Sequence, residues 1–429
     1  SGSDQAASAV TRALVDEGVK VHMGHRAENV AGADTVVVST AVREDNPEVV
    51  AAQAAGIRLW PRSAGLASLM AGRRTTAVAG THGKTTTTAM LTCALLEADA
   101  DPSFAIGAEV ARLGTNARLG RGDDLVVEAD ESDGAFLVYH PAGAVVTNVD
   151  PDHLDVWGTP EAYAQAFDEF VTTIGEFLVL DADDSGAALL AEPGRARGLD
   201  VVTCGFDAPG TTWTGSELAI DASGTRFTAS GPGGVQVDVA LSVVGAHYAR
   251  DALLALATAH RLGADVGAAA AGLATYTGAA RRMQHLGDAG GVRVYDSYAH
   301  HPTEITADLA AARAVAGNAR LVVAFQPHLV SRTRLFGRAM GRALSSADRV
   351  VVADLYLARE EPDPTVTSAL VVGSVEGTPA SEGGPVVGLD AVLADLVRPG
   401  DLLLTLGAGD ITTVGPRLLD RLAATPVDG

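Results

Sequence analysis

The sequence is poor in cysteine and almost without lysine. Its two cysteines, Cys93 and Cys204, make neither a metal-ligand spacing nor a disulfide framework, which suits a reducing compartment. Lys20 and Lys84 are the only lysines; every other basic residue is arginine. A lysine kept in such a chain sits where arginine cannot substitute, and Lys84 lies inside a glycine loop. Basic side chains are outnumbered 31 to 53, for a formal charge of -22. That excludes a general binder of nucleic acid or of an anionic membrane, both of which need a basic face. No apolar run approaches the ~18 residues of a membrane span. A phosphorylated ligand must then be held by a few local cations and metal ions.

With 47% apolar and 20% charged residues the composition is that of a folded globular protein. At a prior of about 150 residues per domain, 429 residues suggest three domains. The chain opens at Ser1-Gly2-Ser3-Asp4 without methionine; no leader is expected, and a soluble cytoplasmic protein is.

Short β-branched runs alternate with alanine- and leucine-rich stretches, which predicts an α/β fold with mostly parallel sheets. Residues 1–73 predict strands at Lys20–Met23, Thr35–Ser39 and Ile57–Trp60 and a helix at Gln5–Glu17, an incomplete Rossmann-like domain. Residues 74–279 predict a central ATPase-type parallel sheet. Its strands are Thr76–Ala79, Leu125–Ala129, Ala144–Val149, Phe177–Leu180 and Val201–Cys204, with a small antiparallel hairpin within Thr225–Val244. Residues 280–429 predict a second Rossmann-like domain with strands at Val292–Tyr295, Leu321–Phe325, Val350–Ala353 and Leu402–Leu406. The segment Glu360–Pro385, rich in Pro, Gly, Ser and Thr, predicts a surface excursion.

The sharpest motif is Gly80-Thr81-His82-Gly83-Lys84-Thr85-Thr86, between a predicted strand and a predicted helix. Successive backbone N–H groups and a helix N-terminus form an anion cradle; Lys84 reaches terminal phosphates and the Thr85 hydroxyl is placed for Mg²⁺. Two strands then run into acids: Glu128-Ala129-Asp130-Glu131-Ser132-Asp133, and Thr147-Asn148-Val149-Asp150-Pro151-Asp152-His153-Leu154-Asp155. Ligands of open α/β sheets bind at the carboxyl ends of strands, and Mg²⁺ prefers carboxylate and phosphate oxygens. Asp296-Ser297-Tyr298-Ala299-His300-His301-Pro302 admits a zinc reading, but no spaced partner of the usual kind is evident, so zinc is the weaker one. Phe325-Gln326-Pro327-His328 with Arg332 and Arg334, Asp354 with Arg359, and Leu406-Gly407-Ala408-Gly409-Asp410 all sit where strands feed helices. Arginines there suit capture of a carboxylate or phosphate.

Together, Gly80–Thr88, Glu128–Asp133, Thr147–Asp155, Asp296–Glu304, Phe325–Thr333 and Leu406–Asp410 resemble the Mur ligases, and the resemblance spans the whole chain. It implies three domains that bind a UDP sugar, ATP and an amino acid in turn. The reaction it implies is ATP-dependent joining of L-alanine to the lactyl carboxylate of UDP-N-acetylmuramate through an acyl phosphate. By the resemblance, Lys84, His300, His328 and Arg332 are catalytic. ATP is bound by Gly80, Thr81, His82, Gly83, Lys84, Thr85, Thr86, His247, Tyr248, Asp251, Arg282 and Asp296. Ser3, Asp4, Ser39, Thr40, Arg62, Thr115, Asn116, Glu131, Ser132 and Tyr298 contact substrate, and Thr85, Glu128 and His153 hold Mg²⁺. A monomer or weak homodimer is expected.

The chain departs from the family pattern in places. It has no lysine after Lys84, which disfavours members that add later amino acids with a carbamylated lysine. Ser132 and Tyr298 disfavour the recycling member that attaches a tripeptide, which is kept as the alternative beside a non-catalytic nucleotide-binding regulator. The family's glycine-rich diphosphate loop, expected before Ser1, is absent, so the first domain is expected to lack its leading strand and loop. Ser297 replaces a common second aspartate. Tyr248 and Asp251 stand where the family carries asparagines that face adenine. An ionised carboxylate accepts but cannot donate, so Asp251→Asn is expected to tighten ATP binding.

Overall fold

The computed structural model describes residues 1–39, 42–132, 134–358 and 360–424; Thr40, Asp133 and Arg359, singled out above, lie outside them. The chain divides into two compact bodies, Ser1–Arg73 with Val138–His140, and Arg74–Leu137 with Pro141–Gly429.

In the first body, β1 (Gly2–Asp4) pairs in parallel with β2 (Val21–Met23), joined through α1 (Ala9–Asp16). Likewise β3 (Thr35–Val38) pairs in parallel with β4 (Arg58–Pro61) through α2 (Pro47–Ala54), and α3 (Arg62–Met70) follows. β1 is a strand the sequence reading did not include. α1 starts four residues later than predicted because Ser8 and Thr11 form a reciprocal capping box, which fixes the first turn. Ser3 and Asp4 lie on β1. The Ser3 hydroxyl donates to Glu48 Oε2 at 2.6 Å, and Asn29 donates to the other oxygen at 2.6 Å. Ser39 and Arg62 are exposed.

The second body opens with β5 (Arg74–Ala79), α4 (Lys84–Glu97), β6 (Ser103–Val110), β7 (Thr115–Arg118), β8 (Asp124–Glu128) and β9 (Gly143–Val146). After α5 (Leu154–Trp157) and α6 (Pro160–Thr173) come β10 (Phe177–Asp181), α7 (Ser185–Leu189), α8 (Ala191–Ala196) and β11 (Asp200–Gly205). β12 (Trp213–Asp221), β13 (Gly224–Ser230) and β14 (Gln236–Leu241) lead to α9 (Ala246–Arg261) and α10 (Val266–Ala274). These strands form one sheet in the order β14-β13-β12-β11-β10-β9-β5-β8-β6-β7. Its centre is parallel, and the predicted β13–β14 hairpin closes one edge.

The central strands are almost wholly buried because a parallel sheet is covered on both faces, and β5 carries Thr75 and Thr76 into that interior. α4 carries five threonines, which are poor helix formers, yet Thr85–Leu95 are all buried against α9 and α10. Packing overrides propensity here, and Thr88 and Thr92 satisfy their hydroxyls on the carbonyls of Lys84 and Thr88.

The rest of this body is a six-stranded sheet, β15 (Gln284–Ala289), β16 (Val292–Ser297), β17 (Leu321–Phe325), β18 (Arg349–Ala353), β19 (Ala380–Gly384) and β20 (Leu402–Leu406). The strand order is β15-β16-β20-β17-β18-β19, with only β15 antiparallel. Its helices are α11 (Pro302–Ala316), α12 (Val330–Leu344), α13 (Ser368–Val372), α14 (Leu389–Leu396) and α15 (Val414–Ala424). The excursion predicted over Glu360–Pro385 is in part a sheet edge: β19 pairs with β18 and α13 packs beside it. Its Gly- and Ser-rich composition marks an edge strand, which periodicity does not reveal.

Candidate active site

The glycine loop leaves the carboxyl end of β5 between β8 and β9, the point at which the strand order reverses. Gly80 is there because nothing larger fits: at φ +133° its missing Cβ would lie 2.0 Å from the Thr147 hydroxyl. Gly83, at φ +81°, caps α4 without a side chain and leaves room for Asp251, whose carboxyl would meet a Cβ at 2.6 Å.

The loop is pinned by the stretch after β9. Asn148 accepts from the His82 N–H at 2.8 Å and donates to the His82 carbonyl at 3.0 Å. The Thr81 hydroxyl bonds the Asp150 backbone and the Tyr163 hydroxyl, at 2.9 and 2.7 Å. Sequence reasoning saw acids and a histidine in Thr147–Asp155. It missed that Thr147, Asn148 and Tyr163 are the frame that shapes the loop.

Lys84 points back across its own loop. Its ammonium donates to the carbonyls of Gly80 and Thr81, at 2.7 and 3.0 Å, and pairs with Glu131 at 2.7 Å. Burial pulls the lysine down, but the facing Glu131 and Asp130 more than offset it, so it stays fully charged. Burial pushes Glu131 up to about 7 even with the lysine beside it. The Thr85 hydroxyl donates to Glu128 Oε1 at 3.0 Å, and the Gly107 N–H donates to Oε2 at 2.6 Å. Two hard oxygens therefore converge beside the anion cradle, a donor set suited to Mg²⁺. His153 lies 3.9 Å from Glu131 and 3.7 Å from Asp152. It adopts the left-handed conformation, φ +52°.

A second cluster forms at the carboxyl ends of β16 and β17. Arg332, buried, straddles Asp152 with bonds of 3.1 and 3.2 Å and donates to His328 Nδ1 at 3.1 Å. Burial opposes ionisation of Asp152, yet Arg332 and the nearby histidines hold its carboxyl well below the usual range. Burial lowers His300 to about 3, and burial with Arg332 lowers His328 to about 4, so both imidazoles are neutral. His300 Nδ1 donates to the Tyr298 carbonyl at 2.9 Å, which leaves Nε2 as the acceptor. The rings of His300 and His328 lie 6.0 Å apart, and Arg281 and Arg282 cover the Tyr298 ring. The His300 acceptor nitrogen beside a fixed guanidinium suits a carboxylate-bearing amine, the guanidinium anchoring one end and the imidazole accepting a proton from the other. Asp152 was not expected here; its place in Asp150-Pro151-Asp152-His153 was the available signal.

Four expected site residues have surroundings that the sequence did not indicate. Asp296 is buried and already accepts from Thr405 and Thr412, with Arg281 at 3.4 Å. Asn116, on β7, is exposed and donates to the Ile106 carbonyl. Tyr248 and Asp251 have different neighbours. Tyr248 packs against the His247 ring at a 42° tilt, donates its hydroxyl to the Arg282 carbonyl at 3.3 Å and lines a cavity of about 590 Å³ with Arg282, Tyr295 and His285. Asp251 lies instead against Gly83. Burial pushes its carboxyl up to about 8, so it is protonated near neutral pH and can donate. This corrects the expectation of an ionised, repulsive Asp251. Ser297 also gains a role: its hydroxyl bonds Asp308, a buried carboxyl that burial raises to about 7.

The chain matches three consecutive family patterns. Residues 1–74 match the Mur ligase family catalytic domain, residues 78–259 the Mur ligase middle domain, and residues 281–409 the Mur ligase glutamate ligase domain. The UDP-N-acetylmuramate–L-alanine ligase of Nocardioides sp. is 58% identical over 98% of this chain and 90% of its own length. The enzyme of the same name from Thermobifida fusca is 46% identical over 98% and 91%. Among solved structures, the UDP-N-acetylmuramate–alanine ligase of Thermotoga maritima superposes with a TM-score of 0.80 at 27% identity, covering 98% of this chain and 92% of that one. With its glycine loop, its acid-tipped strands and its matches from residue 1 to 409, the chain belongs to the Mur ligase family.

Proposed function

We propose that the protein joins L-alanine to the lactyl carboxylate of UDP-N-acetylmuramate at the expense of ATP, in peptidoglycan precursor synthesis in the cytoplasm. The observation that carries this is near-full-length identity of 58% to a ligase of that name. The complete Lys84–Thr85–Glu128 group and the neutral His300–His328–Arg332 cluster support it. Water does not allow a carboxylate and an amine to condense unaided. Phosphoryl transfer from ATP to the carboxylate gives an acyl phosphate, and the alanine amine then displaces phosphate.

The transfer is mostly positioning and charge neutralisation. The loop N–H groups of Gly80–Thr86 cradle the phosphates, and the Lys84 ammonium neutralises charge on the transferring group. Thr85 and Glu128, already within 3.0 Å of each other, would hold Mg²⁺, with His153 as the third ligand. Bound there, the ion supplies charge neutralisation on the phosphate oxygens. Arg332 binds the alanine carboxylate, and His300 Nε2 takes the proton from its ammonium, leaving a nucleophilic amine. Tyr298 and Ser132 line the acyl and amine side; Ser3, Asp4, Ser39, Thr40 and Arg62 serve the UDP sugar in the first body.

Phosphate release from ATP is expected to require UDP-N-acetylmuramate and L-alanine together. Each omission should reduce the rate to background in a coupled phosphate assay. Faster turnover with D-glutamate or a tripeptide would instead assign the chain to a different step.

A further inference from the structure

We propose that His82, Asp150 and His301 form a binding site for a borderline-soft divalent cation such as Zn²⁺, distinct from the oxygen-rich Thr85–Glu128 pair. The three residues come from separate segments: the glycine loop, the stretch after β9 and the start of α11. Their donor atoms lie within 4.8 Å of one another. His82 Nε2 is 3.3 Å from Asp150 Oδ2, and His301 Nδ1 is 3.5 Å from the same oxygen.

Those spacings, like the 3.4 Å from His82 Nδ1 to Glu304 Oε1, are longer than the about 2.7–2.9 Å of charge-assisted hydrogen bonds. They match the ligand–ligand edge of a tetrahedral zinc centre, about 3.4 Å for bonds of about 2.0–2.1 Å. The outer shell is also in place: His82 Nδ1 faces Glu304 Oε1 at 3.4 Å, the carboxylate–histidine pairing that orients a metal-bound imidazole. Thr303 donates to Asp150 Oδ2 at 2.6 Å and holds that carboxylate in place. His301 is buried and caps α11: its Nδ1, which faces Asp150, accepts a long 3.4 Å bond from the Thr303 N–H that a cation would replace, while its Nε2 finds no partner among the described residues. Asp150 is partly exposed, so a fourth ligand from solvent has access. Two nitrogens and one oxygen favour Zn²⁺ over Mg²⁺, whose preference is for oxygen alone.

The cation must displace a proton. Burial lowers the affinity of His82 for it, but Asp150 and Glu304 raise it more, so the ring is charged near neutral pH. The groups facing this ring are Asp150, Glu304 and the neutral His301. Bound zinc would tie the glycine loop to α11 and slow the ligase.

The test is Zn²⁺ titration calorimetry on the full chain without nucleotide, with Co²⁺ absorption as a geometric probe. Wild type should take up one Zn²⁺ and give the intense visible bands of tetrahedral Co²⁺. His301→Asn, which keeps a side-chain acceptor to cap α11, and Asp150→Asn should each weaken binding by tenfold or more. His153→Ala should leave it unchanged. Zinc binding that survives in both His301→Asn and Asp150→Asn, or that is lost in His153→Ala, would overturn the proposal. So would weak, octahedral-type Co²⁺ spectra in wild type.

Discussion

Replacing Lys84 by alanine is expected to lower turnover by at least about 10³-fold, the scale seen when a group aimed at developing charge is removed. The ammonium lies at the head of the anion cradle and has no substitute among the described residues near it: the adjacent side chains Glu128, Asp130 and Glu131 are acidic. Loss of activity alone would not separate chemistry from folding, because Lys84 also balances the buried Glu131. Removing one partner of a buried pair costs about 3–5 kcal/mol if the other stays ionised. Glu131 already sits near 7, so protonation softens that cost. Lys84→Ala should therefore melt lower than wild type, and Lys84→Ala with Glu131→Gln should recover most of the loss without recovering turnover. Activity returning with stability would show that the lysine only holds the loop together.

This double role also shows where sequence reading reaches its limit. The pattern of β-branched runs made β5, β8, β9, β10, β11, β16, β17, β18 and β20 legible, because parallel strands buried on both faces are rich in apolar residues. β6, β7, β12, β15 and β19 were not read from the sequence; the edge strands Thr115–Arg118 and Ala380–Gly384 carry polar and glycine residues that read as loop. The glycine loop was legible because its spacing is local. What holds it is not local. Asn148, Tyr163 and Asp152 act across separations of 66 to 180 residues, and nothing in their immediate neighbourhood marks the partner. The same holds for the two histidine rings: His301 and His82 are 4.9 Å apart in space and lie in motifs that gave no hint of each other.

Charge state is the other quantity a sequence does not carry, and Asp251 is the clearest case. As a sequence position it is an acid where a neutral amide belongs. In the fold it is buried between α9 and the glycine loop, with Thr87 beside it, Asp181 raising its affinity for a proton and Arg282 and Arg250 only partly opposing. Its carboxyl therefore titrates near 8 in the folded protein, against about 4 when unfolded. Below both values the proton is bound in either state and the residue costs nothing. Between them only the folded state holds the proton, so stability falls as pH rises, by at most about 1.4 kcal/mol per pH unit. Above 8 the loss is complete. Asparagine has no such slope. Asp251→Asn should thus be more stable than wild type, by a margin that is smallest near pH 5 and grows up to about pH 8. Thermal melts across that range read it directly. ATP affinity at pH 7 should change little, because the protonated acid donates and accepts as the amide does. Above pH 8 wild type should lose affinity that the variant keeps. A stability margin independent of pH would mean that Asp251 is ionised throughout, and that its burial beside Gly83 is compensated by a partner the fold does not display.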